Sequence, residues 1–142
     1  MTGSTLITVP TPVATYRAAL SGANENPPSG SPASGTATFV LTGTTANYSI
    51  TSTAFGTTLS GGHIHIGTST VNGPVIVPVA LLAQSGTLAA GSINFSQATF
   101  TNGSASVSGD SLKKLFDTGA AYVNFHTAAF GGGEVRGQII KQ

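Results

Sequence analysis

The stretch Tyr-Val-Asn-Phe-His-Thr at residues 122–127 alternates polar and apolar side chains. Successive side chains of a β-strand point to opposite faces, so Val123 and Phe125 share one face and Tyr122, Asn124 and His126 share the other. The apolar face must be the buried one. The stretch therefore predicts a strand that has the core on one side and directs His126 away from it.

Similar short segments recur along the chain and are separated by turns rich in Gly, Pro and Asn. Many short strands at roughly regular spacing are typical of a β-sandwich or barrel. The sequence therefore predicts an all-β, antiparallel fold. The predicted strands cover residues 16–20, 36–41, 47–53, 63–66, 75–82, 92–100, 104–108, 122–127 and 134–140.

One segment has helical rather than strand spacing. Leu112, Leu115 and Phe116 fall at positions i, i+3 and i+4, and Gly119 follows as a stop signal. Asp110 or Ser111 can cap the start. The spacing predicts one short helix over residues 110–117.

The 142 residues fit a single domain. Residues 1–15 are predicted to form an extended arm because Pro10 and Pro12 disfavour a helix, and residues 16–142 the domain itself. The apolar part of the arm, residues 6–9, is a candidate for pairing with the sheet edge of a neighbouring subunit.

Composition excludes several classes of protein. Only 6% of the residues are charged, and five Lys and Arg against four Asp and Glu give a net charge of +1, so no basic surface for nucleic acid is expected. No apolar run reaches the length of about 18 residues that a membrane span needs. The absence of cysteine rules out disulfides and thiolate metal sites.

Richness in Thr, Ser and Gly together with few charges is typical of an exported protein, so we expect a periplasmic or secreted location. Residues 2–15 contain neither a basic segment nor a long apolar one. No signal peptide is therefore predicted within this chain.

All three histidines lie in two predicted strands. His63 and His65 share a face and are separated by about 6.7 Å along the strand. Two imidazoles at this spacing can converge on one ion at about 2 Å from each nitrogen, and His126 on a neighbouring strand would complete a three-nitrogen site. The alternative is that the three are ordinary polar residues on a solvated face.

The available donor types narrow the choice of metal. Imidazole suits copper, zinc, nickel or iron, and the lack of cysteine, with Met1 as the only methionine, excludes a soft thiolate–thioether copper(I) site. Copper(II) or zinc with three histidines and an open position remains. Copper has the higher intrinsic affinity for such donors.

Three further residues are candidates for contacts around the ion. Glu134 is a candidate fourth ligand or acceptor for a histidine N–H, and Arg136 is a candidate guide for anions. The favoured interpretation of Glu134 is a pair with Arg136 beside the glycine turn at residues 131–133. Asn124 shares the face of His126. Glu25 is interpreted as a structural cap, with membership of the site as the alternative.

No catalytic group is predicted besides the histidine cluster. The chain has no paired carboxylates and no Gly-x-Ser-x-Gly motif. An enzymatic activity is therefore not expected from the residues alone.

Several motifs together resemble the CHRD family. They are Tyr-Arg-Ala-Ala-Leu-Ser-Gly-Ala-Asn-Glu-Asn-Pro-Pro at residues 16–28, His-Ile-His at 63–65, Gly-Pro-Val at 73–75, Tyr-Val-Asn-Phe-His-Thr at 122–127 and Gly-Glu-Val-Arg-Gly-Gln at 133–138. The resemblance covers roughly residues 16–141. It implies an exported domain but no particular activity, since the family as a whole has none established.

A more distant likeness is to copper/zinc superoxide dismutases. It matches His63, His65 and His126 with copper ligands, and Arg136 loosely with a guiding arginine, whereas the bridging histidine, the zinc ligands and the disulfide have no counterpart. The likeness implies a Greek-key β-sandwich with one metal ion.

Three functions follow in order of preference. The first is copper binding, storage or delivery, with zinc as the other candidate ion. The second is a structural module of an extracellular oligomer or fibre, assembled through the N-terminal arm. The third is a redox enzyme similar to superoxide dismutase.

Overall fold

Residues 12–142 are described by the computed structural model, and their regular structure is mostly β-strand. The strands are β1 (Ala14–Ser21), β2 (Ser34–Thr42), β3 (Thr45–Ser52), β4 (Leu59–Ile66), β5 (Val75–Val79), β6 (Gly86–Asn94), β7 (Phe100–Asn102), β8 (Ala105–Val107), β9 (Ala121–Thr127), β10 (Val135–Gln138) and β11 (Ile140–Lys141). One helix, α1 (Gly109–Asp117), precedes β9. A single 3-10 turn, Gly22–Asn24, follows β1.

The main sheet is antiparallel throughout, with the strand order β5-β4-β9-β10-β1-β2-β3-β6 and β11 paired to β1. Strands β7 and β8 form a separate hairpin. Some neighbouring strands, such as β4 and β9 or β3 and β6, are distant in sequence. The connections between them cross over other strands, as expected of a Greek-key arrangement. The predicted all-β, antiparallel fold with one short helix is confirmed.

The two halves of the sheet enclose one hydrophobic core. Phe39 and Ile50 enter it from β2 and β3, and Ile64 and Phe125 enter it from β4 and β9, all of them completely buried. This common core places the opposite, outer face of β4 and β9 outside the apolar interior. The histidines lie on that outer face.

Helix α1 covers one end of the core. Leu112 and Phe116 are fully buried and Leu115 is half-buried, as the i, i+3, i+4 spacing predicts. The cap is Ser108 rather than Asp110 or Ser111, because the hydroxyl of Ser108 accepts a hydrogen bond of 3.1 Å from the backbone N–H of Ser111.

Three predicted strand boundaries were wrong. The strand expected over residues 92–100 is β6, which begins at Gly86 and ends at Asn94, and the strands expected at 63–66 and 75–82 are β4, beginning at Leu59, and β5, ending at Val79. An irregularity in the pairing of β3 with β6 buries both Leu88 and Ala89, which hides the alternation. The side chain of Asn94 then accepts the backbone N–H of Ser96 and closes a turn.

Strand β1 begins at Ala14, two residues before the predicted domain start, because Ala14 and Thr15 continue the pairing with β2. The segment at residues 6–9, predicted to pair with a neighbouring subunit, lies outside the described residues. That pairing stays a prediction.

Within residues 12–142, no helix is long and apolar enough to cross a membrane.

Candidate metal centre

The two histidine-bearing strands are neighbours. Strands β4 and β9 pair with Gly61 opposite His126, His63 opposite Asn124, and His65 opposite Tyr122. Directly opposite residues of an antiparallel pair project to the same face. His63, His65 and His126 therefore share one face of the sheet, as the alternation predicts.

The three rings form a compact cluster. The ring centroids of His63 and His126 are 5.0 Å apart, those of His63 and His65 are 5.7 Å apart, and those of His65 and His126 are 6.5 Å apart. One nitrogen from each of the three rings can be selected so that all three nitrogens lie within 4.8 Å of one another. Bonds of about 2 Å to one ion require nitrogens about 3–4 Å apart, so a pair near the upper limit of this separation would need small side-chain rotations to reach the ion.

Backbone carbonyls hold two of the rings. Nδ1 of His65 lies 2.9 Å from the carbonyl oxygen of Gly73, and Nδ1 of His126 lies 3.0 Å from that of Gly131. A carbonyl oxygen only accepts, so each Nδ1 carries the proton and each Nε2 keeps a free lone pair. Metal-binding histidines are commonly oriented by this kind of contact.

Three imidazole nitrogens of the described chain are buried and have no hydrogen-bond partner: Nδ1 of His63, Nε2 of His65 and Nε2 of His126. For His65 and His126 these are the atoms that the carbonyl contacts leave with a lone pair. Buried polar atoms are normally paired, so three unpaired nitrogens in one cluster call for an explanation. A shared cation fits them.

The local environment favours neutral imidazoles. Burial, followed by the nearby charges of His63, His126 and Arg136, lowers the pKa of His65 from 6.5 to about 4, despite the opposing hydrogen bond with Gly73. Burial and the neighbouring His126 also lower the pKa of His63. Neutral imidazole is the form that binds a metal.

A family model described as CHRD domain matches residues 16–139. The chain belongs to the CHRD family. Comparisons with curated proteins and with solved structures give no match. CHRD domains occur in extracellular and secreted proteins.

Glu134, the candidate acidic ligand of this CHRD domain, makes its hydrogen bonds to residues other than the histidines. The carboxylate of Glu134 is 2% exposed and accepts hydrogen bonds from the hydroxyls of Thr127, at 2.8 Å, and Ser31, at 3.0 Å. Among the residues described, the group of side chains that could hold a metal consists of the three histidines and does not include Glu134. The structure thus places Glu134 in a buried hydrogen-bond network that fastens β10 to the loop before β2.

Asn124 and Glu25 form a second polar contact beside His63. The amide of Asn124 donates to a carboxylate oxygen of Glu25 at 2.6 Å and to the carbonyl of Val135 at 3.1 Å. Burial raises the pKa of Glu25, against the lowering effects of Asn124 and Arg136. Glu25 thus ties the turn after β1 to the outer face of β9, in keeping with a structural role.

Arg136 lies on the same outer face but is only 1% exposed. Its guanidinium donates to the backbone oxygens of Thr68, at 2.7 Å, and Val71, at 2.8 Å, and to the side chain of Asn72 at 3.0 Å. The predicted pair of Arg136 with Glu134 is wrong, because the guanidinium contacts the loop after β4 and the carboxylate contacts Thr127 and Ser31. A guanidinium engaged in this way is poorly placed to guide anions from solvent.

Tyr122 is the contact that the sequence analysis did not single out. Its ring stacks on His65 with centroids 4.7 Å apart and planes at 11°, and its hydroxyl accepts the backbone N–H of Gly73 at 3.0 Å. The signal was present in the alternation, which places Tyr122 on the face of His126. Only the pairing of β4 with β9 shows that it lies directly opposite His65.

The cluster of this CHRD domain is suited to an ion with three nitrogen ligands and one further position. Gly61, opposite His126, adds no side chain to this face, and a Cβ there would meet only the ring of His63 within 4 Å, at 3.6 and 3.7 Å. Gly61 therefore brings no side chain that would act as a further protein ligand on this side of the cluster.

The metal-free CHRD domain is expected to lose stability as the pH falls from 6.5 towards 4. Over this range unfolded His65, with an ordinary pKa of 6.5, binds a proton that folded His65, with a pKa of about 4, does not bind. The free energy of unfolding therefore decreases as the pH decreases, and the contribution of His65 to this loss is complete below about pH 4.

Urea unfolding at a series of pH values should give a smaller slope for the His65→Gln variant than for the wild type within this window. The comparison of the two proteins cancels the opposite effect of Glu25, whose raised pKa contributes stability on acidification. Equal slopes would contradict the prediction.

Proposed function

We propose that this CHRD domain binds one copper ion through Nδ1 of His63 and Nε2 of His65 and His126. The observation that carries the proposal is that these three nitrogens are buried and lack partners among residues 12–142, and that the three histidines form one cluster. Leaving a buried polar atom unpaired costs about 1–3 kcal/mol, so three such atoms lower the free energy of unfolding of the metal-free domain. A bound cation would relieve it.

The donor set supports copper over zinc. Three neutral imidazoles and no cysteine form a borderline nitrogen site, and copper(II) binds such donors more tightly than zinc does in the intrinsic order of divalent ions. Zinc is the alternative occupant, since three histidines and an open position also suit it.

The biological role that we propose is copper binding, storage or delivery outside the cytoplasm. Extracellular occurrence of CHRD domains supports the location. A set of three protein ligands, which leaves a coordination position for another donor, supports exchange of the ion with another carrier. Dismutation of superoxide is a weaker candidate, because Arg136, the counterpart of a guiding arginine, is buried under the loop that it holds.

Copper titration of metal-free, untagged protein tests the proposal. We expect one copper(II) per chain and nitrogen couplings in the electron paramagnetic resonance spectrum. The chain has only three histidines, so imidazole couplings can come from no other side chain.

The variant with His63, His65 and His126 all replaced by alanine is expected to lose this binding. Unchanged copper affinity in that variant would end the metal hypothesis. A parallel zinc titration decides the ion, and a tighter zinc complex would reassign the site to zinc.

A further inference from the structure

Three side chains form a continuous stack on the outer face of the sheet. The guanidinium carbon of Arg136 lies 3.4 Å from the centre of the Tyr122 ring. The ring of His65 is nearly parallel to that of Tyr122, with the two ring centroids 4.7 Å apart. The three residues come from the neighbouring strands β10, β9 and β4. The stack therefore runs from a buried cation to a candidate ligand of the metal.

The cation of this stack also holds the loop at residues 67–74, which connects β4 to β5. Arg136 donates to the carbonyls of Thr68 and Val71 and to the side chain of Asn72, at distances between 2.7 and 3.0 Å. Only a guanidinium can present several donors to such a loop while lying flat on an aromatic ring. Lysine or an apolar side chain could fill the space but could not make this set of contacts.

The loop returns to the other end of the stack through Gly73. Its N–H donates to the hydroxyl of Tyr122 at 3.0 Å, and its carbonyl faces Nδ1 of His65 at 2.9 Å. The contacts thus connect Arg136 to His65 by two routes. Arg136 stacks on Tyr122, which stacks on His65, and Arg136 also binds the loop whose Gly73 contacts both Tyr122 and His65. The carbonyl contact is what leaves Nε2 of His65 unprotonated.

A purely structural explanation of Arg136 is incomplete. Its charge is almost fully buried, and within residues 12–142 it takes part in no salt bridge. The charge of Glu25 interacts with Arg136 at longer range without a salt bridge between them. Burying a cation without a directly paired anion is costly even when carbonyls and a ring face compensate in part. An arrangement of this cost, ending on one of the three unpaired nitrogens, indicates a role at the histidine cluster.

We infer that Arg136 and Tyr122 are positioning residues for the metal ion, acting through the 67–74 loop to hold the ring plane and tautomer of His65. The inference rests on the proposed function, and it adds residues that do not contact the ion. It assigns the 67–74 loop as part of the metal site although the loop supplies no ligand.

The first test needs no metal. Imidazole nitrogen shifts of metal-free protein at about pH 8, above the ordinary imidazole pKa, report the tautomer of each histidine, with His65 assigned by its loss in His65→Gln. We expect one tautomer for His65 in the wild type, protonated at Nδ1. Arg136→Met and the exposed-site variant Asn72→Ala should show a mixture, because the loop no longer holds the Gly73 carbonyl in place.

The second test measures copper(II) affinity and the paramagnetic resonance spectrum. Loss of an outer partner of a metal ligand typically costs about 10–100-fold in affinity, so we expect about that loss for Arg136→Met, a smaller loss for Asn72→Ala, and heterogeneous copper spectra for both. Tyr122→Phe keeps the stack but removes the hydroxyl contact to Gly73, and should fall between wild type and Arg136→Met.

Matched controls separate positioning from loss of charge or of loop polarity. Arg17→Met removes an exposed arginine from β1, and Thr70→Ala shortens an exposed side chain in the same loop that makes no side-chain hydrogen bond among the contacts described. Both should keep the single tautomer of His65 and the wild-type affinity.

The two proposals can fail separately. If folded Arg136→Met and Asn72→Ala keep the wild-type tautomer, affinity and copper spectrum, the positioning role is overturned while copper binding stands. If the wild type binds no copper, the proposed function fails, and a positioning role for an ion fails with it even where the tautomer responds to Arg136. Should Arg136→Met not fold, Asn72→Ala and Tyr122→Phe decide the inference.

Discussion

Replacing His126 with alanine is expected to reduce copper(II) affinity by at least about 100-fold, more than the loss of an outer contact would cause. The substitution removes one of three nitrogens and leaves an ion with two protein ligands on the same strand, His63 and His65. Isothermal titration calorimetry or competition with a copper chelator measures the change.

The same substitution should leave the fold nearly unaltered. His126 is half-buried on the outer face, and its contact with the Gly131 carbonyl contributes about 1 kcal/mol to the free energy of unfolding. Asn47→Ala, an exposed change on β3 at a distance from the cluster in the sheet order, is the control for both measurements. A large loss of metal-free stability together with unchanged copper affinity would show that His126 is a structural residue.

Phe116→Ala should have the largest effect on stability, with a loss of about 3–5 kcal/mol in the free energy of unfolding. The fully buried ring of Phe116 packs edge-on against Tyr16 at 5.5 Å and against Phe39 and Phe95, each at 5.3 Å. Removal leaves a cavity where helix α1 meets the sheet. Such a loss is a large part of the roughly 5–15 kcal/mol that stabilises a typical domain.

Thermal and urea unfolding of Phe116→Ala measure this loss, and Leu115→Ala, at the half-buried neighbouring position of the same helix, should lose much less. Folded Phe116→Ala is expected to bind copper as the wild type does, since Phe116 lies in the core and the histidines lie on the outer face. Weakened binding by the folded variant would contradict this separation of core and site.

The faces of the site strands were predictable from sequence for a local reason. Side-chain direction in a strand is determined by backbone geometry at each residue, so alternation alone places His63 with His65 and opposes His126 to Phe125. Burial of Ile64 and Phe125 confirms both assignments. The short helix with Leu112 and Phe116 inward follows from the same kind of local periodicity.

Boundaries were predicted less well where two strands interact irregularly. The start of β6 was missed because Leu88 and Ala89 are both buried beside an irregularity in its pairing with β3. Such an irregularity depends on the partner strand, so no pattern within residues 86–94 indicates it.

By itself the sequence determined an all-β chain and the outward direction of its three histidines, because both depend on interactions between residues a few positions apart. The tertiary structure decided that β4 lies beside β9, and that Arg136 reaches His65 through Tyr122 and the 67–74 loop. It also decided which nitrogen of His65 is free, through the Gly73 carbonyl. These contacts join strands far apart along the chain, and such strands meet only because the whole sheet must bury one common core.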